Sequence, residues 1–238
     1  MNHSIFIPLL FIALFSTICY SQENKAVTLD IKIFLQGPYI NNSMSDELNK
    51  KNKLPLSQPY YRPPWNYQGE EHVNEVPKNV VDWILVELTN DTNRLKIISR
   101  KAAFLTIDGK VTSLDGKSPL VFENIKDKNC YVVLEHRNHL PVMSSAEISL
   151  NNNIQYDFTV SNQKAFGGTL IDLGKGQFGM ISGDSDSNGE INNEDYKKVA
   201  SSLLKVGYQN ADLDMNGVVN ILDYKIINNN LSKKTAVR

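Results

Sequence analysis

Two stretches near the C-terminus carry residue types at a spacing suited to a hard cation. Asp184, Asp186 and Asn188 alternate, then come Gly189, Glu190 and, at the twelfth position, Asp195. Asp212, Asp214, Asn216, Gly217, Val218 and Asp223 repeat the pattern. Calcium takes about six to eight oxygen ligands. In a loop of this register, positions 1, 3 and 5 offer side-chain oxygens, position 7 a backbone carbonyl and position 12 a carboxylate, while glycine at position 6 permits the sharp turn. One expected ligand set is therefore Asp184, Asp186, Asn188, Asp195 and the backbone of Glu190. The other is Asp212, Asp214, Asn216, Asp223 and the backbone of Val218. Two structural Ca2+ ions are the expectation. Position 8 is apolar in both loops, Ile191 and Val219, which predicts that the loops pair with each other through a short β-contact.

The elements around the loops repeat as well. The loops start 28 residues apart, and Tyr196, Val199 and Leu203 match Tyr224, Ile227 and Leu231. That is an internal duplication of a loop followed by a helix. Tyr196, Val199, Ala200, Leu203 and Leu204 have helical spacing, and Gly207 is placed to close that helix. Asn228, Asn229 and Asn230 are weak helix formers, so the second helix is expected to fray early. Neither loop has room for an entering helix: Gly179-Met180-Ile181-Ser182-Gly183 precedes the first, and only residues 206–211 separate the first repeat from the second.

With those features, residues 183–233 resemble a type I dockerin. The resemblance implies a calcium-dependent module that binds a cohesin-like protein partner and attaches secreted polysaccharide-degrading proteins to a scaffold. It implies the same ten calcium ligands. It also implies that a partner is read just before the final Asp of each loop, where small hydroxyl residues are usual. Here those positions hold Asn193-Glu194 and Ile221-Leu222, which makes the two halves non-equivalent.

The rest of the chain reads as mainly β. Val27, Leu29, Ile31, Ile33 and Leu35 alternate, and residues 80–88 form a nearly continuous apolar run suited to a central strand. Asp108-Gly109 between residues 102–107 and 111–114 predicts a hairpin. Residues 130–136, 146–150 and 156–160 complete a set of about seven strands, which predicts an Ig-like β-sandwich. The expected organisation is a signal peptide over 1–21, the sandwich over 22–160, a Gly-rich connector over 161–182 and the dockerin-like calcium-binding domain over 183–238. The sandwich also resembles an uncharacterised module of bacterial secreted surface proteins, on residues 80–88 and 136–140.

Residues 5–18 are almost entirely apolar, and Ser21/Gln22 is a workable cleavage site, so a secreted or cell-surface protein with no membrane span after cleavage is expected. Cys19 would leave with the leader, and Cys130 then has no partner for an intrachain disulfide. The 25 basic and 26 acidic residues nearly cancel, which argues against nucleic acid.

A long irregular stretch over 37–79 holds six prolines with Tyr39, Tyr60, Tyr61, Trp65 and Tyr67. Those rings either stack on sugar or cover a sheet, and packing is the favoured expectation. The pair His136 and His139 lacks a third ligand by spacing and is read as structural. Asp82 and Glu87 point to opposite faces of one strand, so they make no evident catalytic pair. No catalytic residue is assigned. Non-catalytic attachment is the leading function. The alternatives are polysaccharide binding or, if an enzyme, a glycoside hydrolase.

Overall fold

The computed structural model describes residues 25–150 and 153–237. The expected leader, its cleavage site and Cys19 lie outside the described residues. Apolar residues at alternate positions anchor the first strand, β1 (Lys25–Lys32), where Val27, Leu29 and Ile31 are fully buried. Short pieces follow: β2 (Phe34–Leu35), β3 (Tyr39–Ile40), β4 (Ser43–Met44) and the one-turn helix α1 (Glu47–Lys50). β5 (Val80–Thr89) is buried along its whole length, as its apolar run requires. β6 (Ile97–Thr106) returns beside it and turns at Asp108-Gly109 into β7 (Lys110–Thr112); Gly109 takes the positive φ of +84° there. β8 (Leu120–Ile125), β9 (Asn129–His136), β10 (His139–Met143), β11 (Ile148–Ser149) and β12 (Asn153–Asp157) follow.

These strands form sandwich-like, mainly β architecture. The main sheet runs β10-β9-β5-β6-β7-β1-β12, with β8 also on β1 and β11 on β9. The β1–β12 pair is parallel and the other pairs of this sheet are antiparallel. β8 and β10 were not anticipated from the sequence. Burial of Trp83, Phe104, Phe122 and Phe158 fills the core.

The proline-rich stretch packs against this body. Tyr60 is fully buried and its hydroxyl donates to the Trp83 carbonyl at 2.8 Å, while Trp83 Nε1 donates to Pro55 O at 2.9 Å. Trp65 meets Tyr60 edge-on at 5.1 Å, and Tyr67 donates to Glu71 at 2.6 Å. Of the five rings, Tyr61 alone is mostly exposed; Tyr60 is buried and Tyr39, Trp65 and Tyr67 are half-buried. Asp82 and Glu87 head separate buried networks. Glu87 accepts from Arg94 and Arg100, and Arg94 also reaches Glu135.

The Gly-rich stretch is not a free connector. Residues 171–180 form a hairpin, β13 (Ile171–Gly174) and β14 (Gln177–Met180), and β14 pairs in parallel with β2. Leu170 and Met180 are buried in the sandwich core, so the stretch read as a Gly-rich connector packs with the sheet. Beyond it lie α2 (Asn193–Ser201) and α3 (Ile221–Asn230). Among the described residues no helix is long and apolar enough to cross a membrane.

Candidate metal centre

Each acidic loop folds back on its own carboxylates. Asp184 Oδ1 accepts from the Asn188 amide at 3.0 Å and Oδ2 from the Gly189 amide at 3.0 Å. Asp212 does the same with Asn216 at 3.1 Å and Gly217 at 2.8 Å. Gly189 and Gly217 sit at φ +87° and +89°, the left-handed turn that position 6 demands. Position 12 serves twice. Asp195 Oδ1 accepts from the Ser185 amide at 2.8 Å, and its Oδ2 accepts from Asn192 N at 3.0 Å, closing the capping box of α2. Asp223 repeats this with Leu213 N at 2.6 Å and Asn220 N at 2.7 Å, closing the box of α3. One carboxylate thus ties loop to helix in each repeat.

The ligand atoms converge. Carboxylate oxygens of Asp184, Asp186 and Asp195 lie within 4.8 Å of one another, and so do those of Asp212, Asp214 and Asp223. Asn188 and Asn216 stand beside them, each donating its side-chain amide to the position-3 carboxylate at 3.1 and 2.9 Å. Their Oδ1 atoms accept from the amides of Glu190 and Val218, both at 2.9 Å. Three gathered carboxylates and an amide oxygen form a hard, anionic donor set that fits calcium.

Electrostatics support the fit. Burial pushes the Asp184 carboxyl up to about 7, offset by the Gly189 amide and reinforced by Asp195 and Asp186. Burial likewise lifts Asp212 to about 7, with Arg137 pulling the other way and Asp223 and Asp214 adding to the rise. Burial also raises Asp186 and Asp223. In the metal-free fold these carboxyls hold protons that the unfolded chain has already lost, so stability falls as pH rises from about 4 through about 7. A cation in place of the protons removes that loss. The buried His136 and His139 are shifted down, and their contribution is lost as pH falls below about 6.5, but it is common to both metal states. The rise in Tm on adding calcium should therefore be larger at about pH 7.5 than at about pH 5.5. Equal rises in a thermal scan at both pH values would count against these carboxyls as ligands.

The expected pairing of Ile191 with Val219 does not occur. Val219 exchanges backbone bonds with the chain leaving α2: Leu204 N donates to Val219 O and Val219 N to Lys205 O, both at 2.9 Å. Ile191 pairs with the chain leaving α3, through Ser232 N and Lys233 O, both at 2.8 Å. With no entering helices to set the loops side by side, the segment after each helix supplies the strand to the opposite loop. Ile191 and Val219 still share a small core with Val199, Leu213 and Ile227.

Two helix expectations also change. α2 stops at Ser201, and the first left-handed residue beyond it is Leu204, at φ +66°, with Gly207 following at φ +96°. α3 does not fray at its asparagines. Asn230 is fully buried and donates to Gln36 Oε1 and Ser182 O, both at 2.7 Å, so tertiary bonds override weak propensity.

No family model matches the chain, and no curated protein matches it. Among solved structures it is similar to two crystal structures of type II cohesin–X–dockerin complexes from Acetivibrio cellulolyticus. One is a C-terminal interface mutant, at 14% identity over 88% of this chain and 98% of that one, with a TM-score of 0.44. The other is an N-terminal interface mutant, at 13% identity over 90% and 97%, with a TM-score of 0.41. At such scores the functional reading rests on the chain's own residues.

His136 and His139 lie with Asp82, Arg137, Asn138 and Tyr208 in a buried polar cluster where the β10 end of the sheet meets the repeat. Sequence spacing gave no hint that Tyr208 joins it, because the two parts lie far apart in the chain.

Proposed function

We propose that this chain is a secreted, non-catalytic attachment protein: an Ig-like β-sandwich carrying a dockerin-like module stabilised by two calcium ions. The observation that carries the reading is the twofold convergence of three carboxylates on loops with the same internal hydrogen bonds. Calcium would be held by Asp184, Asp186, Asn188, Asp195 and the Glu190 carbonyl, and by Asp212, Asp214, Asn216, Asp223 and the Val218 carbonyl. It would neutralise charge that the loop cannot disperse.

A docking surface lies beside the second loop. Leu203, Leu204 and Val206 leave α2 exposed, Leu204 at 82%, and Ile221 and Leu222 open α3 exposed at 65% and 46%. The backbone bonds at Val219 and the Val206–Val218 bridge hold these two segments together. The related positions beside the first loop are mostly polar: Asn193, Glu194, Ser232 and Lys234, with Leu231. Exposed Lys205 and Lys225 sit in the apolar segments. This chemistry suits a cohesin-like protein partner with an apolar docking face and acidic neighbours.

Calcium-dependent capture of a partner from the source's secreted fraction tests this. The paired change Leu204→Asp and Ile221→Asp should abolish capture while calcium binding stays intact. Asn193→Ala with Glu194→Ala should leave capture nearly unchanged. Capture that ignores chelator, or that depends on residues 193–194 instead, would defeat the reading.

A further inference from the structure

The turn between β9 and β10 touches both metal loops at once. Asn138 is fully buried, and its Nδ2 donates to the Asp212 carbonyl at 2.9 Å and to the Asn210 carbonyl at 3.2 Å. The Asp212 carbonyl and the Leu213 amide belong to one peptide plane. That amide donates to Asp223 Oδ1 at 2.6 Å, so Asn138 grips the far edge of the plane that orients a position-12 carboxylate. On the other side, the Asn138 carbonyl accepts from Gly183 N at 2.9 Å, immediately before Asp184. The Arg137 carbonyl accepts from Ser187 Oγ at 3.1 Å, inside the first loop, while Arg137 Nη1 donates to Gln209 O just before the second. Ser182 Oγ, donating to Leu213 O at 3.1 Å, and Asn210 Nδ2, donating to Ser185 O at 3.4 Å, lie in the same bridge.

Because the loops do not pair with each other, this turn is a shared support standing between them. We infer that Arg137 and Asn138 are positioning residues for both metal loops, and that calcium in one loop raises affinity in the other through this turn of the β-domain. The inference rests on the calcium reading. Outer-shell bonds of this kind orient ligands, and their loss typically lowers metal affinity about 10–100-fold. Coupling between sites is reciprocal, so calcium in the first loop favours the second by the same factor as calcium in the second favours the first.

The two sides can be cut separately. Asn138→Ala removes the bonds to the second loop and leaves the Asn138 carbonyl in place for the first. Ser187→Ala removes a bond to the first loop only, and Ser187 is not a ligand position. The Gly189 and Gly217 amides, each bonded to its own position-1 Asp, report the two loops separately by NMR during calcium chloride titration of the full chain. Asn138→Ala should weaken the second loop about tenfold or more and the first loop by about fivefold. Ser187→Ala should weaken the first loop and also shift the second. Should Asn138→Ala fail to fold, Ser187→Ala decides alone, because Ser187 is only half-buried and its change deletes a single hydroxyl. Effects confined to the perturbed loop in Ser187→Ala, or unchanged affinity in both variants, would overturn the inference. Absence of calcium binding by the unmodified chain would instead overturn the calcium reading itself.

Discussion

Asp212→Ala should reduce calcium stoichiometry from two to one and lower the stability of the calcium-loaded protein by about 3–4 kcal/mol. Asp212 has no exposure to spare, and both of its carboxylate oxygens organise backbone amides of the loop. Removing it takes away a ligand, a charge and two acceptors at once. At free calcium a thousand times its Kd, a site contributes about 4 kcal/mol to the folded state, which is the scale of what is lost. Asp184→Ala should also remove one ion, but with less damage. The second loop is the more deeply embedded: Met215 sits in the sandwich core, Lys51 Nζ donates to Asn216 O at 2.6 Å, and the loop backbone passes Gly37 so closely that a Cβ there would meet Leu213 O at 2.1 Å. Calorimetric titration gives the stoichiometry and chemical denaturation in calcium gives the stability. Two ions still bound by Asp212→Ala would sink the assignment of the second loop.

The loops were legible because their information is local. Position, residue type and the glycine turn all lie within twelve consecutive residues, and the structure brings together the three aspartates of each predicted set. The strands of highest apolar density, β1, β5 and β9, were legible for the same reason. What escaped depends on partners remote in sequence. Ile191 and Val219 have matching side chains, yet their strand partners are residues 232–233 and 204–205. Asn228–Asn230 read as a weak helix end until Gln36 and Ser182 hold Asn230 from the other side of the fold. The apolar residues at 169–171 and 178–181 left room for strand inside the Gly-rich stretch, but its partner β2 lies far away in the chain and could not be named. His136 and His139 were read as structural, and their company with Asp82 and Tyr208 could not be read from spacing.

Asp82→Ala should be the most damaging single change in the β-domain, at about 3–5 kcal/mol, although Asp82 lies outside both metal loops. Asp82 is fully buried and satisfies four donors: Trp83 N at 2.7 Å, Tyr208 OH at 2.7 Å, Arg137 Nε at 2.9 Å and His136 Nε2 at 3.2 Å. Burial alone would raise its carboxyl, but the Arg137 charge and the His136 and Tyr208 bonds win and hold it down at about 2. Its stabilisation is therefore present above the unfolded carboxyl value of about 4 and lost as pH falls through about 2. Arg137 is 1% exposed and lies over the Tyr208 ring at 4.3 Å. Removing Asp82 leaves that guanidinium buried without its anion, which is the costly case for an internal ion pair. Asp82→Asn keeps the shape and part of the hydrogen bonding and should cost roughly half as much. Because Tyr208 belongs to the chain between the two metal loops, the same variants should also lower calcium affinity. Urea denaturation of the three proteins at neutral pH measures the first effect. A loss under about 1 kcal/mol for Asp82→Ala would mean that Arg137 finds another anion or reaches water, and that this cluster does not hold the repeat to the sheet.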